Sequence, residues 1–161
     1  MSVSPEDFRV GMRQLGAAVN VVTTHNGGRS YGLTATAVCS VTAEPPRLLA
    51  CINKTGITFK SIQESGSLVV NTLCAEHKEL AEVFAGMGGN AEDDRFHIGN
   101  WEHLEGIPVL ADALVSFICD VEDIQDVGSH GIILANIKSI ITGQGEPLFY
   151  FDGDFMSSRK L

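Results

Sequence analysis

Strand-length runs of small and β-branched residues, each closed off by a turn signal, dominate this chain and leave little length for helices. The clearest case is residues 18–24 (AVNVVTT), followed by Asn26-Gly27-Gly28 and a second apolar stretch at 31–33. Two such runs around a Gly-rich tight turn predict a β-hairpin. Further strands are expected at 37–42, punctuated by Pro45-Pro46, then at 47–52 and 67–73. Beyond Pro108 two long strands, about 114–123 and 131–142, precede a last one at 148–152. Antiparallel strands with hairpin signals favour a barrel with peripheral helices over a doubly wound sheet.

Three helical segments fit between these strands. Ser4 as N-cap, Pro5 at the first helical position and Asp7 three residues after the cap predict a helix to about Gly16. Phe8, Met12 and Leu15 give it an apolar face. Residues 57–65 suit one or two helical turns, and 76–85 a second clear helix with Leu80, Val83 and Phe84 on one face. Residues 86–106 are polar and Gly-rich, which predicts a long irregular loop, and such loops tend to carry function. With no repeat or linker, 1–161 is expected to form one domain.

The charge, 11 basic against 20 acidic residues for a net −9, argues against nucleic acid as a partner. A small anion remains possible, because a few local cations or backbone N–H groups suffice to hold one. No apolar run approaches the ~18 residues of a membrane helix. The acidic start, Met1 to Asp7, lacks the layout of a signal peptide, so a cytoplasmic protein is expected. Cys39, Cys51, Cys74 and Cys119 form no C-x-x-C pair, and Cys39 and Cys51 read as small core residues within apolar runs.

The familiar nucleotide and hydrolase signatures, G-x-G-x-x-G, the P-loop, G-x-S-x-G and H-E-x-x-H, do not occur. The five histidines lie far apart; His97 and His103 flank Trp101 without ligand spacing, so no metal site is expected. The Asp93-Asp94 and Glu122-Asp123 pairs read as solvated surface charge. Two segments stand out. Residues 32–41 (GLTATAVCSV) are small and hydroxyl-bearing, so a flat aromatic ligand could approach the backbone closely; a buried strand with threonines fits the same letters. Residues 53–58 (NKTGIT) stand at a strand exit and helix start, which suits either an anion cradle or a plain capped helix with an exposed lysine.

In order and spacing, these segments resemble the flavin reductase family that supplies reduced flavin to two-component monooxygenases. The reductase component of 4-hydroxyphenylacetate 3-monooxygenase is its best-known type. Further landmarks of the resemblance are Glu44-Pro45-Pro46, Val69-Val70-Asn71, Phe84-Ala85-Gly86, Asp94-Arg95-Phe96 and Gly128-Ser129-His130. It covers nearly the whole chain, from the helix of Phe8 to the strand of Tyr150.

The resemblance implies a mainly β split-barrel homodimer of the flavin-reductase, FMN-binding type, with peripheral helices and a flavin near the subunit interface. Thr34, Ala35, Thr36 and Ala37 would line the isoalloxazine, with Ser40 and Val41 close by. Asn53, Lys54 and Thr55 would meet the ribityl phosphate, and Arg95 and Phe96 would close a loop over the site. Cys51, Thr58, Phe84 and Tyr150 complete the implied cofactor-binding set. Gly128-Ser129-His130 matches a Gly-Asp-His or Gly-Thr-His signature beside the nicotinamide, with serine in the middle place. His130 would be the catalytic residue, holding the nicotinamide rather than acting as an essential acid; the lesser reading is a strand-start histidine satisfied by a neighbouring carboxylate.

The implied activity is NAD(P)H-dependent reduction of FMN or FAD, with reduced flavin passed to a partner oxygenase. FMN against FAD and NADH against NADPH stay open. Two other readings remain: a flavoprotein on the same barrel that uses bound flavin on another substrate, such as an oxidase or corrin reductase, and a non-enzymatic flavin-binding module.

Overall fold

The computed structural model describes residues 2–157, so Met1 and the last four residues of the expected domain lie outside it. Ser4 caps helix α1 (Pro5–Arg13), its hydroxyl accepting from Asp7 N at 3.0 Å. After the short β1 (Ala17–Ala18) comes the expected hairpin of β2 (Asn20–Asn26) and β3 (Arg29–Ala35). Asn26 pairs with Arg29, so the loop is Gly27-Gly28 alone, with φ of 57° and 80°. Two consecutive positive φ angles define the I′ turn that matches strand twist, and only glycine takes both without strain.

The chain continues through β4 (Val38–Ala43), β5 (Pro46–Asn53), α2 (Ile57–Ser65) and β6 (Ser67–Thr72). A 3₁₀ turn leads into α3 (Lys78–Phe84), then come β7 (Trp101–Leu104), β8 (Ile107–Leu110), β9 (Val115–Val127) and β10 (His130–Thr142). The described part ends with β11 (Leu148–Phe151) and β12 (Asp154–Ser157).

Seven strands form one antiparallel sheet in the order β3-β2-β6-β9-β10-β5-β4. Its end strands, β3 and β4, are consecutive in the chain but not paired, so the ladder is open. Even so, Ala37 O, just past β3, accepts from Cys51 N of β5 at 2.9 Å. Four strands separate β3 from β5 in the sheet order, so the sheet bends round until its two ends approach.

The central strands β2 and β6 are buried on both faces. On one face Val22, Leu68 and Val70 pack with Ile133 and with Phe59 and Ile62 of α2. On the other, Val19, Val21 and Leu73 meet Leu80, Ala81 and Phe84 of α3. Buried polar groups are used as internal struts: Asn71 Oδ1 accepts from Leu110 N and Ser116 Oγ, both at 2.9 Å. Rings replace absent side chains at two glycines. A Cβ on Gly32 would stand 2.7 Å from Phe84 Cε1, and one on Gly131 2.4 Å from Phe59 Cε2.

Several expectations need correction. The loop at 86–106 is not wholly irregular: it holds a 3₁₀ turn at Arg95–His97 and the strand β7. Four residues give too short an alternation to read, and β7 exists because β8 pairs with it. The β9–β10 hairpin runs to Val127, past the expected end at 123, because the two-residue turn Gly128-Ser129 lets pairing continue to its tip. Strand β12 was not expected at all. Cys39 is exposed, not a core residue, since β4 is an edge strand. The apolar face of α1 finds no cover among the described residues: Phe8 is 59% and Leu15 63% exposed.

Candidate functional site

Where the bent ends of the sheet approach, a cleft of about 350 Å³ opens. One wall is the last turn of β3 and its continuation, Leu33 to Ala37; the facing wall is Cys51, Ile52 and Asn53 of β5 with His130 of β10. Phe84 and Ala85 at the end of α3 form the floor, and Glu92 and Arg95 come from the following loop. His130 reaches this place because it opens β10 directly opposite Asn53, the last residue of β5. The two-residue turn before it is what sets that register.

The polar groups of the cleft are few and held. Thr34 Oγ1 donates to Ala81 O at 2.6 Å, tying β3 to α3, so its hydroxyl is engaged and the ligand-facing wall is mostly backbone and methyl groups. Asn53 Oδ1 accepts from both N and Oγ1 of Thr55 at 2.9 Å, shaping the turn into α2. His130 Nδ1 lies 2.8 Å from Ser129 Oγ, which orients the imidazole. Arg95, only 9% exposed, donates from Nη1 to Gly32 O and Phe84 O at 3.2 and 2.9 Å. Its Nε is buried and has no partner in the protein. An unsatisfied buried guanidinium donor is costly to keep.

The start of α2 borders the same cleft. Gly56 is its N-cap and offers no side chain, so the helix's first N–H groups need an outside acceptor. Glu92 Oε2 supplies one, accepting from Thr58 N at 2.8 Å and from Thr58 Oγ1. No sequence signal links residues 58 and 92; only the path of the loop does.

Thr34, Ala35, Thr36, Ala37, Cys51, Asn53, Phe84, Arg95 and His130 therefore share one cleft. Others do not reach it. Ser40 and Val41 are exposed on edge strand β4, with Ser40 lining a separate groove beside Cys39 and Phe117. Lys54 pairs with Asp126 Oδ1 at 3.3 Å, outside the cleft lining. Phe96 lies behind Phe84, 5.1 Å between ring centroids, and so buttresses the floor rather than closing the top. Tyr150 lines a second, larger cleft of about 440 Å³ with Phe8, Met12 and Leu15, on the other side of Thr36 and Ala37. That cleft is lined almost wholly by apolar groups apart from two arginines, so the convergent polar groups mark the smaller one as the site. Among the described residues no group of three or more His, Cys, Asp or Glu could hold a metal ion. Nor is any described helix long and apolar enough to cross a membrane.

The donor set fits a flavin nucleotide. A flat wall of small residues suits a ring system, and a helix start and a buried arginine suit an anionic tail. Fold and cleft together thus define a mainly β protein whose candidate site combines a wall of small residues, a helix start and a buried arginine. Residues 12–159 match the model of the flavin reductase like domain, and the chain belongs to this family of oxidoreductases. It is 42% identical over 148 residues to the NADH-dependent FMN reductase RutF of Agrobacterium fabrum, covering 91% of this chain and 84% of that one. It is 41% identical over 150 residues to the 4-hydroxyphenylacetate 3-monooxygenase reductase component of Pseudomonas aeruginosa, covering 92% and 88%. Among solved structures, the flavin reductase PheA2 superposes with a TM-score of 0.89 at 29% identity, covering 98% of this chain and all of that one.

Proposed function

We propose that the protein is an NAD(P)H:flavin oxidoreductase that reduces FMN or FAD and releases the reduced flavin to a separate oxygenase. The observation that carries this reading is the cleft itself: a small-residue wall from Thr34 to Ala37 faces His130 across a gap bordered by the α2 start and Arg95. Relatives named for NADH-dependent FMN reduction and for the reductase role in a two-component monooxygenase support NADH as donor and an oxygenase as recipient.

When bound, the flavin supplies the ring that accepts a hydride from the nicotinamide nucleotide. Such a transfer depends on stacking two rings at contact distance more than on a proton-transferring side chain. The wall of residues 34–37 does the positioning, because small side chains let the ring approach the backbone. His130, oriented through Nδ1 by Ser129, would hold the nicotinamide by a hydrogen bond from its other ring nitrogen. Asn53 and the turn through Lys54 and Thr55 would frame the phosphate end, with the N–H of Thr58 as donor and the charge of Arg95 in the same cleft. Ser40, Val41 and Tyr150 fit this picture as residues that meet a second subunit, in a split-barrel homodimer built on the exposed face of α1. A reducing compartment, the cytoplasm, suits four free cysteines.

The test is oxidation of NADH and of NADPH by purified protein, with and without FMN, FAD or riboflavin. Turnover that depends on added flavin, and saturates with it, supports a reductase. Binding of flavin without nucleotide oxidation overturns it.

A further inference from the structure

The carboxylate of Glu92 sits on the α2 N-terminus, where the flavin reading places the phosphate. Three features hold it there. Gly56 leaves the helix start without a side-chain cap, and the carboxylate lies directly against it: a Cβ at Gly56 would stand 2.8 Å from Glu92 Oε1. The loop that carries Glu92 borders open space at Gly88 and Gly89 but is pinned just before Glu92, where Arg95 Nη2 donates to Asn90 O at 3.5 Å. At its far end the loop is held by the exposed Arg29–Asp93 ion pair at 2.9 Å and by the buried Arg95. Arg95, whose Nη1 is spent on Gly32 O and Phe84 O, lines the same cleft and gives it a fixed positive charge, a second sign that an anionic ligand suits it.

We propose that Glu92 is a specificity-determining residue: an internal anion that occupies the α2 N-terminus of the free enzyme and must swing out before a flavin phosphate can take the same N–H groups. The inference rests on the flavin-reductase reading. Helix start and anion attract each other whichever anion is present, so two cannot share the seat. The apparent affinity for a phosphorylated flavin is then reduced by the fraction of protein whose seat is open. Riboflavin, which has the ring and ribityl chain but no phosphate, escapes this competition. Glu92 thereby narrows the gap between FMN and riboflavin and keeps flavin exchangeable, as a carrier-type reductase requires.

The experiment is titration of wild-type protein and Glu92→Gln with FMN and with riboflavin, followed by flavin fluorescence. Glutamine keeps the shape and an acceptor oxygen but removes the charge. FMN affinity should rise about tenfold, the range of a helix-terminus charge effect, while riboflavin affinity stays within about twofold. Unchanged riboflavin binding also certifies that the variant is folded. Equal tightening of both flavins, or FMN binding that is unchanged or weaker, overturns the proposal. If neither flavin binds either protein, the flavin reading itself fails and this inference falls with it.

Discussion

His130 shows how much one residue's role depends on its surroundings. Its Nδ1 is engaged by Ser129, it lines the cleft opposite the wall of residues 34–37, and among the described residues no carboxylate pairs with it. Replacing it by alanine should raise KM for the nicotinamide nucleotide or lower turnover by roughly tenfold, the worth of one positioning hydrogen bond, while flavin affinity stays near normal. Steady-state kinetics beside a flavin titration separate the two; collapse of flavin affinity would place His130 against the flavin instead. The thiol of Cys119 makes a different prediction. Burial in the sheet, helped by Asp120, pushes its pKa from 9.0 up to about 12. The folded value lies above the unfolded one, so its contribution to stability is intact below pH 9 and is lost as pH climbs toward 12. Thermal melts should therefore fall with rising pH above 9, and more steeply in wild type than in Cys119→Ala.

Among the elements, α2 and the β9–β10 hairpin do most to shape the site. Phe59 of α2 lies against the bare backbone of Gly131, one residue beyond His130. Gly131→Ala would set a Cβ 2.4 Å from the buried ring of Phe59, so ring or strand must shift. The expected cost is about 1–3 kcal/mol, read as a fall of several degrees in Tm, with turnover reduced because β10 must shift at its first residues. A Tm unchanged within a degree would show that α2 slides without penalty. The loop from α3 to β7 is the opposite kind of element. Its chain is tied down at Asn90, Asp93 and Arg95 while Gly88 and Gly89 border open space, so the exchange proposed for Glu92 falls to its side chain.

At the scale of the whole molecule, the apolar surface is unevenly spread. Phe8, Val10, Met12 and Leu15 of the α1 segment are exposed together, and Phe8, Met12 and Leu15 border the apolar cleft that holds Tyr150. A stable monomer rarely leaves such a contiguous patch uncovered. Light scattering on the eluting protein should report twice the 17.2 kDa chain mass, and Phe8→Glu with Leu15→Glu should shift it toward monomer. A monomer in the wild type would remove the dimer, and with it the proposed role of Ser40, Val41 and Tyr150.

What could be read from the letters was whatever is decided within a few residues. The Gly27-Gly28 turn, the Ser4 cap, the bounds of α2 and the long strands after Pro108 all follow from local conformational preference and periodicity. The wall at 34–37 and His130 were legible as motifs, through resemblance to a family rather than through chemistry visible in the chain. Packing decided the rest. Whether the apolar residues of α1 and β4 face a core or the outside depends on what the folded sheet leaves to cover them; among the described residues Phe8, Leu15 and Val41 stay exposed, whereas Val38 packs against the core. The approach of β3 to β5, which makes the cleft, comes from the bending of a seven-stranded sheet and has no local signature. Nor has the contact of Glu92 with Thr58, 34 residues apart, which only the folded loop brings about. Local rules choose the elements; the long-range closure of the sheet chooses which of their side chains meet.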